Sequence, residues 1–115
     1  MKLELQREPA DALTEASFLI LIAIANRPMH GYLIMQTVDA FFGSESRIGA
    51  GTLYRTLQRL SAGALIEAGR VDPSESDDER RIPYRITRAG RTAIRAELHR
   101  LHSLIEFAAT NGAEL

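Results

Sequence analysis

The chain has 115 residues, 45% of them hydrophobic, with a formal net charge of −1 and no cysteine. This length predicts one domain with a small core, and the absence of cysteine excludes disulfides and thiolate metal sites. The first 12 residues are expected to form an N-terminal arm. They lack the apolar stretch of a signal peptide. The longest uncharged run, 16–26, is too short to span a bilayer. We therefore expect a cytoplasmic protein with no membrane partner.

The charges are unevenly distributed along the chain. Residues 47–71 carry four arginines against one acid, and residues 80–100 carry seven against one, whereas residues 72–79 hold five acids and no base. The planar guanidinium group of arginine suits bidentate contacts with phosphate and guanine. The same bias also fits ordinary solvated charge, so charge alone does not decide for nucleic acid.

The first predicted helix begins after Thr14, a good N-cap residue, with Leu13 packing on Phe18 as a hydrophobic staple. The stretch FLILIAIA that follows is apolar on nearly all sides, which is typical of a helix buried all round. A chain of this size can hardly bury such a helix alone, so we expect a partner subunit to cover part of it. Pro28 is expected to end the helix.

A second helix is predicted from Met29-His30 to Phe42. Gly31, in its first turn, would let another backbone approach closely, and Gly43 would end the helix. Residues 43–48 read as a loop. The inner face is expected to consist of apolar residues at helical spacing, namely Ile34, Val38 and Phe41.

The stretch GAGTLYRTLQRL, residues 49–60, predicts a third helix with Gly49 as N-cap and Gly63 at its end. Its buried side is expected to hold Leu53, Leu57 and Leu60. Its outer side carries polar and cationic residues, namely Thr52, Tyr54, Arg55, Gln58 and Arg59.

The glycines at the start of this helix weaken it, since glycine costs up to about 1 kcal/mol relative to alanine in a helix. Gly49 and Gly51 would, however, leave the N–H groups of the first turn open to an approaching phosphate. The combination of open N–H groups and a cationic outer face predicts a helix that reads DNA.

Two short strands follow, joined by a long acidic loop. Residues 65–68 read as the first strand, and Ile82, Tyr84 and Ile86 alternate with polar or proline positions as the second. Pro83 is expected to place this second strand at an edge. Two strands directly after a helix with a basic face describe a wing.

The last predicted helix is capped by Thr87 and has about 23 residues, enough to project past a small domain. Five apolar residues follow a 4-3-4-3 spacing, which is a heptad pattern over two repeats: Ile94, Leu98, Leu101, Ile105 and Ala108. Leu104 and Phe107 widen the stripe. The helix could pack on its own core, but we favour dimerisation because the first helix also lacks a cover.

These elements predict a mainly α fold with a small β wing: a winged helix-turn-helix at residues 13–86, then a dimerisation helix and short tail at residues 87–115. Four motifs in this order resemble the PadR family of bacterial transcriptional regulators, in its short form with one C-terminal helix. They are PMHGY at 28–32, GTLYRTLQRL at 51–60, GALIE at 63–67 and RIPYRITRAG at 81–90. The serine-proline pair that usually precedes GTLY is replaced here by Gly49-Ala50.

The resemblance implies a sequence-specific DNA-binding regulator, a repressor that binds an inverted repeat as a homodimer and is released by an effector of unknown identity. The wing would contact the neighbouring minor groove or phosphates. The DNA-binding residues are then expected to be Thr52, Tyr54, Arg55, Gln58, Arg59, Arg80 and Arg81. The dimer interface is expected to involve Phe18, Ile22, Ile94, Leu98, Leu101, Ile105 and Ala108.

Other functions are less well supported by the residues. No nucleophile-base constellation or nucleotide-binding glycine loop suggests an enzyme, and no cofactor or metal is expected. His99, His102 and Glu106 share one helix face and could bind zinc, although exposed polarity explains them more simply. For a small effector, Phe18 and Phe107 are the aromatic candidates, although plain core packing explains both better. The main alternative is a winged-helix module that binds protein, which an acidic wing loop at Asp72 to Glu79 would suit.

Overall fold

The computed structural model describes residues 13–43, 47–70 and 82–113. Three helices, a two-stranded antiparallel sheet and a long helix follow in order, which confirms the predicted mainly α fold with a small wing. The predicted arm, the acidic loop, Arg80 and Arg81 lie outside the described residues. The elements are α1 (Glu15–Ala23), α2 (Gly31–Phe42), α3 (Ala50–Ala62), β1 (Ile66–Ala68), β2 (Tyr84–Ile86) and α4 (Arg88–Thr110).

Side-chain caps start three of the four helices. The Thr14 and Thr87 hydroxyls accept hydrogen bonds from the backbone N–H three residues on, at 3.1 and 3.0 Å, as predicted. The Nδ1 atom of His30 caps α2 in the same way at 3.2 Å, a role the sequence analysis did not assign. Gly49 precedes α3, as predicted, and supplies no side-chain cap.

The predicted end of α1 is wrong. The helix ends at Ala23, five residues before Pro28, because a proline restricts only the residue directly before it and need not set the helix end. Within the described residues α1 is buried on one side: Ile20 and Leu21 are fully buried, whereas Ile22 is 43% exposed. This agrees with the expectation that the chain hardly buries this helix alone, and the cover by a partner subunit stays a prediction.

The core lies where α1, α2 and α3 meet the wing and the first half of α4. The predicted inner residues of α3 are all buried, and so are Ile34 and Val38 of α2. Phe41 is instead 81% exposed, because no described element of the chain covers the last turn of α2. The fully buried large side chains are Ile20, Leu21, Ile24, Ile34, Leu53, Leu57 and Ile66.

The end of α3 is a Schellman motif. The N–H of Leu65 bonds to the carbonyl of Leu60 and the N–H of Ala64 bonds to that of Ser61, both at 3.0 Å. Gly63 is the C-cap residue, as predicted, but its φ is −87°. The left-handed position belongs to Ala64, with φ of 62°, where glycine is the usual residue.

The two strands of the wing pair in antiparallel register, with Ile66 opposite Ile86. On the other side of β2, Tyr84 exchanges two backbone hydrogen bonds with Met29, at 2.9 and 3.1 Å. The prediction that Pro83 places this strand at an edge is therefore wrong, because the segment before α2 adds a short third pairing. This pairing fixes the wing to the start of α2.

The long helix α4 has two unlike halves. Its first half packs on the wing and α1, with Gly90 and Ile94 buried. At 1.5 Å per residue its 23 residues span about 35 Å. The second half extends beyond this packing and exposes apolar side chains, with Leu104 52%, Ile105 51% and Phe107 69% accessible.

Candidate nucleic-acid interface

The outer face of α3 brings together five of the predicted DNA-binding residues. All of them are exposed on the side of the helix opposite its buried leucines. The guanidinium of Arg55 donates to the Thr52 hydroxyl at 3.3 Å, which joins the first two turns of this face. The five residues are Thr52, Tyr54, Arg55, Gln58 and Arg59.

The start of α3 is open. A Cβ added at Gly49 would meet no heavy atom within 4 Å, and one added at Gly51 would meet only the Arg55 guanidinium, at 3.4 Å. Among the described residues, no side chain caps the N–H groups of the first turn. Free N–H groups at the positive end of a helix attract phosphate oxygens, so this end of α3 has the geometry of an anion contact.

Tyr54 joins the start of α2 to the exposed face of α3. A Cβ at Gly31 would lie 2.9 Å from the Tyr54 hydroxyl and 3.1 Å from two of its ring carbons. The missing side chain of Gly31 therefore accommodates an aromatic ring, and the expected close backbone approach is wrong. The ring is still 51% exposed, so one side of it remains available to a ligand.

A groove of about 630 Å³ separates α3 from the wing and is bordered by Tyr54, Arg55 and Gln58 on one side and by Tyr84 on the other. Burial raises the pKa of Tyr84, and the neighbouring Tyr54 raises it further. Tyr84 therefore remains a neutral phenol that can donate a hydrogen bond. Tyr84 was expected only as a strand residue. The tyrosine in the motif RIPYRITRAG was the sequence signal that could have pointed to its place beside this groove.

Arg47 belongs to the basic segment of the sequence but not to this face. Its Nε donates to Glu15 at 3.1 Å, and its guanidinium lies 4.5 Å from the centre of the Phe42 ring. Its backbone N–H donates to Asp39 at 3.1 Å. Arg47 therefore holds the turn between α2 and α3 against α1 and does not extend the cationic face.

This arrangement is found in a known family. Residues 20–96 match the model of the transcriptional regulator PadR-like family. The chain belongs to this family. Its members are transcriptional regulators and not enzymes.

The chain is also similar to a curated protein of unassigned function. The PadR-like chain is 36% identical over 90 residues to an uncharacterized 37.1 kDa protein in transposon TN4556 of Streptomyces fradiae. The match covers 78% of this chain and 24% of that protein, so the chain spans about a quarter of the length of this relative.

Two solved structures share the fold. A PadR family transcription regulator from hypervirulent Clostridium difficile superimposes with a TM-score of 0.71 at 20% identity, covering 84% of this chain and 97% of that one. A transcriptional regulator from Clostridium thermocellum superimposes with a TM-score of 0.72 at 18% identity, covering 99% of both chains. The second comparison includes the long terminal helix of this PadR-like chain.

The predicted interface residues of the PadR-like chain fall into two groups. Phe18, Ile22 and Leu98 border one apolar groove of about 520 Å³ between α1 and α2, and Phe41 and Phe42 close its far side. Farther along α4, Ile105 is exposed, whereas Leu101 and Ala108 are half-buried.

Ile94 is the exception among these interface residues. It is 9% exposed and lies in the core of its own chain, because this half of α4 packs on the wing and α1. The heptad spacing therefore continues a stripe that begins inside the PadR-like domain and leaves it at Leu98.

The histidines of α4 do not form a metal centre. The Nε2 atom of His102 lies 3.2 Å from the Glu106 carboxylate, but the described residues contain no group of three His, Cys, Asp or Glu side chains that could hold an ion. In the same part of the chain, no helix has the length and apolar character needed to cross a membrane.

Proposed function

We propose that this PadR-like chain is a sequence-specific DNA-binding repressor that acts as a homodimer on an inverted-repeat operator and is released by an effector. The observation that carries the proposal is the face of α3, where two arginines, an amide, a hydroxyl and a phenol are exposed beside an uncapped helix start. Each of these groups is a type that contacts base edges or phosphates in protein–DNA complexes.

The residues of this face differ in the DNA groups that their side chains suit. Arg55 and Arg59 suit guanine edges or phosphates, and Gln58 between them suits adenine. Tyr54 stands nearer the wing and would donate its hydroxyl to a phosphate, together with the open N–H groups of α3. Thr52, bonded to Arg55, would orient that guanidinium. Arg80 and Arg81 are proposed to contact the backbone from the base of the wing.

A dimer is supported by the apolar surface that the described residues leave uncovered. The groove between α1 and α2 and the second half of α4 together expose Ile22, Leu98, Ile105 and Phe107, each more than two fifths accessible. A two-fold pairing through these surfaces would place two copies of α3 in successive major grooves, about 34 Å apart. Repression, release by an effector and a cytoplasmic location rest on the family resemblance.

The first test is selection of bound fragments from genomic DNA, followed by measurement of affinity between about 50 and 200 mM salt. An inverted repeat with half-sites one helical turn apart, together with a steep salt dependence, is the expected result. Binding that is weak, indifferent to sequence and insensitive to salt would overturn the proposal. It would favour a winged-helix module that binds protein, in keeping with the five acids at residues 72–79.

The homodimer has a separate test that does not need DNA. Ile105→Glu places a charge on the exposed apolar stripe of α4 and is expected to produce monomers that keep their helical circular dichroism. The matched control is Ser103→Glu, an exposed residue on the side of the same helix opposite Ile105. A dimeric mass for Ile105→Glu in light scattering, equal to that of the control and the parent chain, would exclude Ile105 from the interface.

A further inference from the structure

The long helix α4 places a charged side chain near each end of α1. Near the end of α1, the Arg91 guanidinium donates to the carbonyl of Ala25 at 3.0 Å. At the start of α1, Glu97 lines the same cleft as Leu13 and Thr14, and the Leu13 backbone N–H helps to lower the pKa of its carboxyl group. The Arg91 bond joins a charged side chain to a backbone carbonyl, and such bonds are stronger than those between neutral groups.

The signs of these charges match the ends of α1. The start of a helix carries partial positive charge and its end partial negative charge, so a carboxylate suits the first and a guanidinium the second. Glu97 and Arg91 are six residues apart, about 9 Å along α4. A reversed or strongly rotated α4 would bring each charge toward the wrong end of α1 or into solvent, so the pair selects one orientation.

Glu97 is unusual among the charged residues that the structure describes because it is buried, with 6% of its surface exposed. Arg100, one turn later, donates to both carboxylate oxygens, to Oε1 from Nε at 3.1 Å and to Oε2 from Nη2. These hydrogen bonds lower the pKa of Glu97 although burial opposes them. The carboxylate therefore stays ionised beside the start of α1.

Holding α4 on α1 also fixes α4 relative to α3, the proposed DNA-reading helix. α1 packs directly against both α3 and α4. The second half of α4 lies beyond the domain, so a small rotation at α1 becomes a large displacement at Phe107. In a dimer joined through α4, the same rotation would change the separation of the two copies of α3.

We propose that Arg91 and Glu97 form a brace that sets the angle between α4 and the DNA-reading unit, and thereby the half-site spacing that the dimer accepts. This inference rests on the proposed function for its consequence in DNA binding. Both residues are positioning residues: neither lies on the outer face of α3, and they act through the orientation of α4.

The angle can be measured without DNA. Because the chain has no native cysteine, spin labels attach only at cysteines that are introduced. Spin labels at Ser61→Cys on α3 and Ala109→Cys on α4, two exposed positions, report the angle within one chain when labelled protein is diluted with unlabelled protein. We expect one narrow distance distribution in the parent chain and a broadened or shifted one in Arg91→Met and in Glu97→Gln. Arg91→Lys, which keeps a cationic donor, should restore the narrow distribution.

The control is Arg95→Met, an exposed arginine of α4 with no hydrogen bond to either end of α1 among the described residues. It should leave the distribution unchanged. If Arg91→Met and the double variant Arg91→Met/Glu97→Gln, both folded by circular dichroism, keep the parent distribution, the brace is wrong. Should Glu97→Gln fail to fold, the exposed Arg91 still decides the question.

The second arm uses operators whose half-site separation varies one base pair at a time around one helical turn. The parent chain should show one preferred spacing. Arg91→Met should flatten this preference several-fold while binding an isolated half-site as before, whereas a general loss of stability would weaken every spacing by the same factor. If the parent chain has no preferred spacing, the proposed function fails, and the label distances still decide whether the brace exists.

Discussion

Gly31 and Tyr54 are in contact across the helix-turn-helix. The space that a side chain at Gly31 would occupy is taken by the Tyr54 ring, with the hydroxyl 2.9 Å from the position of an added Cβ. Gly31 begins α2, and Tyr54 lies on the exposed face of α3, the proposed DNA-reading helix. The glycine therefore determines where a proposed phosphate-binding hydroxyl stands.

Gly31→Ala should displace the Tyr54 ring and weaken DNA binding while the fold remains. The obstacle is a side chain and not backbone, so we expect a stability loss at the low end of the range for overpacking, about 1 kcal/mol. Titration of operator DNA and thermal unfolding measure the two effects. In a Tyr54→Ala background the same substitution should cost no further affinity. A full loss in that background would show that Gly31 acts independently of the tyrosine.

Arg55→Ala should weaken specific DNA binding by about 1–3 kcal/mol, because the guanidinium would lose a base or phosphate contact, with the fold intact since Arg55 is exposed. Fluorescence anisotropy at fixed salt gives the affinity and circular dichroism checks the fold. Arg95→Ala, an exposed arginine of α4, is the matched control for a lost charge. Equal affinities for the Arg55 variant and the parent would remove this residue from the reading face.

Gly51→Ala separates stability from function. Alanine is the better helix former, so the free energy of unfolding should rise by up to about 1 kcal/mol, and the added Cβ meets only a guanidinium at 3.4 Å. DNA affinity should nevertheless fall, because the methyl group obstructs a phosphate at the start of α3. Ser103→Ala should stabilise α4 without changing affinity. An unchanged affinity for the Gly51 variant would mean that no phosphate approaches there.

Gly90→Ala should destabilise the domain. An added Cβ would lie 2.6 Å from Cγ1 of Ile86 and even closer to the carbonyl oxygen of Leu65, so the wing or α4 must move. We expect a loss of about 3 kcal/mol, the upper part of the range for overpacking, by urea denaturation. Gly63→Ala, whose Cβ would find its nearest neighbour at 3.6 Å, serves as the control. Similar midpoints for both variants would contradict the tight contact.

Glu97 should make the stability of the chain depend on acid pH. Hydrogen bonds from Arg100 place the pKa of the folded carboxylate below its ordinary value of 4.5. Its contribution is therefore complete above that value and is lost as the pH falls through the folded pKa. The difference in unfolding free energy between the parent chain and Glu97→Gln should be constant near neutrality and shrink below about pH 4.5. A difference that does not change with pH would show that the ionised carboxylate contributes nothing.

The sequence predicted much of the local structure because local structure depends on neighbouring residues. A threonine at the N-cap position accepts a hydrogen bond from the N–H three residues on, so Thr14 and Thr87 could be assigned from the helical patterns that follow them. The leucine spacing of α3 fixed its buried side, and therefore also the side that faces outward. The candidate DNA-reading face followed from that spacing together with the family motifs.

The residues whose predicted environment was wrong are those whose environment depends on contacts between separate helices and strands. Phe41 has the spacing of a core residue, but whether a turn of helix is covered depends on the length of its neighbour. Pro83 has the chemistry of an edge strand, but the pairing partner Met29 comes from a segment more than fifty residues earlier.

The sequence by itself determined the family, the order of helices and strands, and the cationic face of α3, because repeated short-range patterns encode all three. Only the tertiary structure decided that Gly31 accommodates Tyr54, that β2 has partners on both sides, and that Arg91 and Glu97 reach opposite ends of α1. These relationships join residues separated by 23 to 84 positions. Their physical cause is the packing of α1, α2, α3 and the wing around one core, which no local pattern describes.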